Sequence, residues 1–406
     1  MADPRASSGA VSLFTGGIDP PYVFGLAMEM IAQGIFVDLI GSDALDRPEM
    51  HSTFGLNFLN LQGSDPRAGL LAKVWRMLTY YTKVLRYAAT AEPRIFHILW
   101  NNKLVYFDRT FLMLYYKLLG KKIVFTAHNV NAGKRDGNDS LLNRVTLKIQ
   151  YHLADHIFVH TERMKKELLE EFAVPDRAVT VIPFGINNSA PNTDLSPAEA
   201  RRRLGIAEGE KTILFFGRIR PYKGLDYLVD AFHRIAASGE NYRLIIAGEP
   251  KGEPKKETQQ YWAGIQENIA RGPGGNRITQ CIEFVSDAET ELYFKAADVS
   301  VLPYTMVFQS GVLFLSYSFG LPVIATDVGS LREDIIEGKT GFTCKACDAE
   351  DLARAIETYF ASDLFKDLSR RRLEIREYAN AHHSWTVVGT LTRGVYDGLV
   401  GKPVVS

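Results

Sequence analysis

The turn Gly217-Arg218-Ile219-Arg220-Pro221-Tyr222-Lys223-Gly224 sets three cations between an apolar run and a helix-forming segment. Cations beside a helix start can neutralise a diphosphate leaving group without a metal ion. A second stretch of similar promise is Gln309-Ser310-Gly311, which follows the apolar run Val299 to Leu302 and precedes the apolar segment Val312 to Phe319. Unpaired N–H groups at such a helix start favour an anion, and the small Ser310 and Gly311 let it come close. The same residues also read as an ordinary strand-to-helix connection. His128 stands in Ala127-His128-Asn129, directly after the apolar run Lys122 to Thr126. That places it at the C-terminal end of a strand, where open α/β sheets bind ligands. Gly16-Gly17 follows the run Ala10 to Phe14 and either approaches a phosphate or sugar or simply makes a tight turn. Asp19-Pro20-Pro21 takes the place of the later glycine of a dinucleotide fingerprint, so that fingerprint is incomplete.

Alternating apolar runs and helix-length amphipathic segments must position these groups. Ala10–Phe14, Ile35–Ile40, Ile95–Trp100, Lys122–Thr126, Ile157–Val159 and Val179–Ile182 read as strands of a first half. Val23–Gln33, Leu141–Ala154 and Glu162–Phe172 read as its helices. The polar segment Val130–Ser140 is expected to be a mobile loop. A polar stretch with Pro191 and Pro197 reads as a linker, and the pattern then restarts. Thr212–Phe216, Arg243–Ala247, Ile282–Val285, Val299–Leu302 and Val323–Thr326 are expected strands. Leu225–Ile235, Glu289–Ala297 and Val312–Phe319 are expected helices, and Trp385–Val400 closes the chain as an amphipathic helix. Strand–helix alternation of this kind makes an α/β fold with parallel sheets.

The 406 residues exceed one ordinary core, so two domains are expected. With 46% hydrophobic and 23% charged residues the composition is that of a soluble globular protein. Basic and acidic residues balance at 47 each, which argues against nucleic acid as a partner. Cys281, Cys344 and Cys347 are too few for a disulfide framework, and Cys344-Lys345-Ala346-Cys347 is only half of a zinc site. No metal is expected, and a reducing cytoplasm fits this usage. The residues from Met1 to Gly9 lack the apolar core of a signal peptide, and no segment reaches the ~20 apolar residues of a membrane span.

Charge is lopsided between Leu70 and Lys122. Ten basic residues, among them Lys73, Arg76, Lys83 and Arg86, face only Glu92 and Asp108 there, interleaved with Trp75, Tyr80, Tyr81, Tyr87 and further aromatics. Such a stretch reads either as a helix lying on an anionic membrane surface or as a packed helix with a solvated charged flank.

Several short motifs together resemble the glycosyltransferase family 4 group. They are Gly16-Gly17, Ala154-Asp155-His156-Ile157-Phe158-Val159 with Thr161-Glu162, Val181 to Gly185, Gly217-Arg218 with Lys223-Gly224, and Phe319 to Thr326. The resemblance covers nearly the whole chain. It implies the GT-B fold: two Rossmann-like domains facing across a cleft, here residues 1–190 and 191–384, with a last helix in 385–406 returning to the first. It implies a retaining enzyme that moves a sugar from a nucleotide diphosphate sugar to a glycan or lipid-linked acceptor, without a metal. Work in polysaccharide or glycolipid synthesis, at the cytoplasmic side of a membrane, would follow. By the same resemblance Arg218 and Lys223 bind the donor diphosphate and His128 contacts the donor sugar. Gly16 and Gly17 then lie beside phosphate and acceptor, and Gly217, Ser310 and Gly311 belong to the donor site. One departure stands out. The family's paired glutamates, eight positions apart, correspond to Val307 and Leu315. Gln309 is our candidate for the lost sugar contact. A sugar phosphorylase and a non-catalytic nucleotide-sugar-binding relic stay open as alternatives.

Overall fold

Continuous apolar runs become the strands of two parallel sheets in the computed structural model, which describes residues 9–17, 19–63, 69–135, 139–186, 190–252, 255–307 and 309–401. The chain forms two compact units, one of Met1–Gly185 with Trp385–Ser406 and one of Ile186–Ser384.

The first unit holds β1 (Ala10–Phe14), β2 (Phe36–Ser42), β3 (Leu56–Gln62), β4 (Ile95–Ile98), β5 (Lys122–Thr126), β6 (His156–Val159) and β7 (Val179–Val181). Their order is β3-β2-β1-β4-β5-β6-β7, with every pairing parallel. All four residues of β4 and of β6 are buried, as expected of strands covered on both faces. The helices include α1 (Pro20–Ala32), α2 (Leu70–Thr90), α3 (Val105–Phe107 and Met113–Leu118, joined by a π-helical turn at Asp108–Leu112), α4 (Leu141–Leu153) and α5 (Glu162–Phe172). From β4 onward each crossover moves the same way along the sheet, opposite to the β1-to-β2 step. Right-handed connections therefore put α2 to α5 on one face and α1 on the other.

The helix α1 starts earlier than the apolar periodicity suggests. Asp19 adopts a left-handed conformation and caps the Tyr22 N–H at 3.3 Å, and Pro20 and Pro21 occupy the first turn, where no N–H is needed. The same face carries the closing helix of the chain. Its Trp385 indole fills the space at Gly25, where a Cβ would come within 2.0 Å of the ring. Tyr396 from that helix donates or accepts at His97 Nδ1, 2.6 Å away.

The second unit holds β8 (Lys211–Phe216), β9 (Tyr242–Ala247), β10 (Ile278–Cys281), β11 (Val299–Leu302), β12 (Val323–Thr326) and β13 (Gly341–Cys344), ordered β10-β9-β8-β11-β12-β13 and all parallel. Its helices include α6 (Leu225–Ala236), α7 (Lys255–Arg271), α8 (Asp287–Ala296), α9 (Gly311–Ser318), α10 (Ala349–Ala361) and α11 (Leu368–His383); the closing helix, Trp385–Leu399, is α12.

Two expectations fail. The strand expected at Ile282–Val285 lies instead at Ile278–Cys281, because its partner β9 ends where Ala247 pairs with Cys281. Beyond that point there is no ladder to join, and Phe284 is exposed. The loop expected to be mobile between Val130 and Ser140 is tied down where it is described. Val130 and Asn131 are buried. The Asn131 amide donates to Asp139 at 2.9 Å and its carbonyl accepts from Asn143 at 2.9 Å. Residues 136–138 lie outside the described residues, as do 188 and 189 of the linker expected at 188–197.

Candidate active site

Both sheets reverse their strand order beside their first strand, between β1 and β4 in one unit and between β8 and β11 in the other. Ligands of open α/β sheets bind outside the strand ends at such a reversal. Gly16-Gly17 and the cationic turn follow the first strands at these two places, His128 follows β5 beside β4, and Gly311 opens α9.

In the first unit β1 leads into Gly16 and Gly17, at φ 58° and 72°, a left-handed pair that favours glycine. A Cβ on Gly16 would sit 2.8 Å from the Asn101 carbonyl oxygen, so the fold alone requires that glycine. The loop after β4 supplies Trp100, and the His128 imidazole stacks on its indole with centroids 4.0 Å apart and 4° between planes. Tyr22 meets His128 edge-on at 4.7 Å. The imidazole is held from behind. His160 Nδ1 lies 3.2 Å from the Ile182 carbonyl oxygen, and His160 Nε2 lies 2.9 Å from His128 Nδ1.

That chain of contacts sets the tautomers. A carbonyl oxygen only accepts, so His160 Nδ1 carries the proton and its Nε2 is an acceptor. His128 Nδ1 must then be the donor, which leaves His128 Nε2 as a bare acceptor. Both rings are neutral at physiological pH. Burial lowers His160 to about 4 and carries His128 well below the ordinary imidazole value, with His160 and His97 adding to the shift. His128 Nε2 is buried and has no hydrogen-bond partner among the described residues. An acceptor left without a donor in such a place suits a ligand hydroxyl.

In the second unit β8 ends at Gly217, whose φ of 105° again favours glycine. The side chain of Val312, in the first turn of α9, is 3.7 Å from a Cβ built there. Arg218 follows, exposed, and makes no hydrogen bond or ion pair among the described residues. Arg220 is turned aside, over the Tyr222 ring at 5.5 Å and against Gly252. Lys223 ends the short helical turn Pro221–Lys223 and reaches the loop after β11. Its ammonium donates to the Tyr304 hydroxyl at 2.6 Å and lies 4.0 Å from the centroid of that ring. Gly224 permits this approach, since a Cβ there would be 1.9 Å from the Pro303 carbonyl oxygen.

Tyr304 also meets Ser310, hydroxyl to hydroxyl at 3.2 Å. Ser310 is the N-cap of α9, and its side chain makes no capping bond. Gly311 needs neither a special backbone nor empty space, because a Cβ there would touch nothing within 4 Å. Gln309 Nε2 donates to Asp334 Oδ2 at 2.9 Å, and Gln309 Oε1 is buried without a partner among the described residues. Burial pushes the Asp334 carboxyl up to about 7, against the Gln309 hydrogen bond, and Glu333 adds to the rise. Leu315 is packed in the apolar core of this unit with Phe294 and Phe319. Four residues that the sequence reading did not single out thus belong to these sites: Trp100, His160, Tyr304 and Asp334.

The geometry agrees with two sequence-profile matches. The profile described as Glycosyltransferase Family 4 matches residues 21–189, and that described as Glycosyl transferases group 1 matches residues 197–381. The chain belongs to the glycosyltransferase family 4 group.

Among curated relatives, a D-inositol 3-phosphate glycosyltransferase of Corynebacterium aurimucosum is 28% identical over 287 residues, 68% of this chain and 65% of its own length. A glycogen synthase of Mycobacterium tuberculosis is 29% identical over 279 residues, 68% of this chain and 62% of its own. The chain thus spans somewhat under two thirds of these relatives. Sucrose-phosphate synthase from Thermosynechococcus elongatus superposes with a TM-score of 0.76 at 21% identity, covering 97% of this chain and 99% of that one. HepE of Anabaena in complex with UDP-glucose gives 0.74 at 16% identity, covering 96% and 99%. These likenesses establish the GT-B fold of this family 4 member, two Rossmann-like units with parallel sheets. Fold alone does not assign a substrate.

Proposed function

We propose that this family member is a retaining glycosyltransferase, moving a sugar from a nucleotide diphosphate sugar to a hydroxyl of a glycan or lipid-linked acceptor at the cytoplasmic face of a membrane. The observation that carries the reading is the cationic turn at the β8/β11 reversal. There Arg218 makes no hydrogen bond or ion pair among the described residues, and Lys223 is braced by Tyr304 beside the start of α9. As the bond from the anomeric carbon to the diphosphate breaks, Arg218 and Lys223 offset the charge that develops on the leaving oxygen. The acceptor oxygen bonds to the same face of that carbon, its proton passes to the departing diphosphate, and a nucleoside diphosphate is released. No metal is assigned a part. His128 Nε2 accepts a hydrogen bond from a hydroxyl of the donor sugar. The side chains of Gln309 and Asp334 take over the sugar contact that Val307 and Leu315 cannot make.

The non-catalytic reading draws on one observation, that Leu315, at a position where the family resemblance implies a carboxylate, belongs to the core. Titration calorimetry with uridine, guanosine and adenosine diphosphates, followed by turnover of the matching sugar donor, separates the two. The enzyme reading expects one diphosphate to bind and its sugar donor to turn over with retained anomeric configuration. Binding without turnover on any acceptor would leave a relic, and phosphate-dependent release of a sugar phosphate would point to a phosphorylase.

A further inference from the structure

Most of the large apolar side chains exposed among the described residues lie on just three helices, α2, α3 and α4, and on the residues next to them. These helices are neighbours on one face of the first sheet. The Tyr81 hydroxyl of α2 donates to Asp108 of α3 at 2.9 Å, and Arg109 of α3 donates to Asn143 of α4 at 2.8 Å. A helix covering a sheet normally turns a polar flank to water. Here α2 buries Tyr80, Tyr81, Val84 and Ala88 as its inner stripe, yet its first turns show Leu71 at 87% and Trp75 at 71% exposure. Every residue from Leu70 to Trp75 is exposed. Phe111 at 69% and Leu118 at 78% continue the patch on α3, as do Leu141 and Leu142 on α4.

The charge on this face has one sign. The only acid within the three helices is Asp108, which is buried against Tyr81. Lys73, Lys83, Arg86, Lys103 and Lys148 are exposed around the apolar residues, and Arg144 is exposed in an ion pair with Asp139. The neighbouring helix α5 shows the ordinary pattern, with Glu162, Arg163, Lys166 and Glu170 outward and Met164, Leu168 and Phe172 buried. Among the described residues no helix is long and apolar enough to cross a membrane.

We infer that the α2–α4 face docks the protein on an anionic lipid bilayer, with the first turns of α2 seated at the headgroup level and the lysines over acidic lipid. An exposed apolar helix end with a tryptophan suits that boundary, and each basic residue near an anionic surface contributes roughly 1 kcal/mol. A second copy of the chain is the poorer occupant. Two-fold pairing of this face would set its lysines against each other with no exposed acid from these helices to meet them.

The inference deepens the reading of a lipid-linked acceptor, but its readout is separate. Vesicle binding tests the face, and diphosphate binding tests the donor site. The full-length protein is mixed with phosphatidylcholine vesicles with or without phosphatidylglycerol and floated on a density gradient. It is expected to float with the anionic vesicles at low salt and to be released at high salt. Leu71→Ser with Trp75→Ser, and separately Lys73→Glu with Lys83→Glu, should each weaken binding by about tenfold or more while diphosphate binding stays unchanged. Lys166→Glu on α5 makes the same kind of charge change off the face and should alter nothing. Equal recovery with both vesicle types overturns the inference. So does an oligomer, seen by light scattering, that the Leu71/Trp75 variant dissolves.

Discussion

The two strand-order reversals are alike in topology and opposite in charge. At β8/β11 the loops present cations, Arg218 in the open and Lys223 braced on Tyr304. At β1/β4 they present uncharged rings, with His128 stacked on Trp100 and bonded to His160, neither imidazole carrying a proton charge at neutral pH. Burial explains the contrast. An imidazole packed among aromatic rings gives up its charge. One unit is therefore equipped to meet developing negative charge and the other to accept a neutral hydrogen bond.

The largest test of this contrast is to remove the cations. Arg218→Ala and Lys223→Ala are each expected to lower kcat by about 10²–10³, as loss of one contact to a developing oxyanion does. Thermal melting should move little for Arg218→Ala, which breaks no hydrogen bond or ion pair among the described residues. It should move more for Lys223→Ala, which leaves the buried Tyr304 hydroxyl without its donor. A double variant that turns over like the parent would end the assignment.

A second test is pH, which should act first on the unit with the neutral rings. His97 is lowered to about 3 and His156 and His160 to about 4, all chiefly by burial, and all three belong to the first unit. In the unfolded chain these rings take up protons below the ordinary histidine value, while in the folded chain they stay neutral. The stability they contribute is whole above about pH 6.5 and is lost as pH falls towards 4, by up to ~1.4 kcal/mol per pH unit for each fully buried ring. Hydrogen exchange at pH 5 should show β4, β5 and β6 losing protection before β8, β11 and β12. Uniform loss across both sheets would remove the contrast.

A smaller effect is expected from the contact behind His128. His160→Phe keeps a ring in place but removes the Nε2 acceptor, so nothing then dictates which His128 nitrogen carries the proton. Loss of one neutral hydrogen bond is worth ~1 kcal/mol, so kcat should fall by roughly five- to tenfold, with donor binding nearly unchanged. His160→Gln, which offers an acceptor again, should recover part of the loss. Equal effects on kcat and on folding stability would mark His160 as merely structural.

What was legible in the sequence follows the same physical divide. Strands buried on both faces, such as Ala10–Phe14 and Val323–Thr326, appear as apolar runs and are observed with the expected bounds. The edge strands β3 and β13 carry Asn57, Asn60 and Thr343 among their apolar residues and passed unnoticed. The cationic turn and His128 were visible because loop chemistry at a strand end is local. Trp100, His160 and Tyr304 were not. Each is an unremarked ring until the sheet order brings separate loops together, and only the parallel register sets the loop after β4 beside the loop after β5. Leu315 reads as an absence in the sequence and as a core residue in the structure.

The smallest expected effect concerns Asp334, a carboxyl in the unit that carries the cationic turn. It is buried, bonded to Gln309, and titrates near 7. Its folded value is raised above that of the unfolded chain, so the sign is opposite to that of the histidines. The stability it contributes is whole below the ordinary carboxylate value and declines as pH rises, until it is gone above about 7. Ionisation also places a negative charge beside Gln309 and Ser310, at the start of α9. Diphosphate binding should therefore weaken severalfold between pH 6 and pH 8. Asp334→Asn keeps the shape and the contact to Gln309 but cannot ionise, so in that variant binding should lose this dependence. The measurement is calorimetry with the tightest-binding nucleoside diphosphate at several pH values, corrected for ionisation of the nucleotide itself. If the variant follows the parent curve, Asp334 does not titrate in this range, and the Gln309–Asp334 pair is a packing contact rather than part of the sugar-binding site.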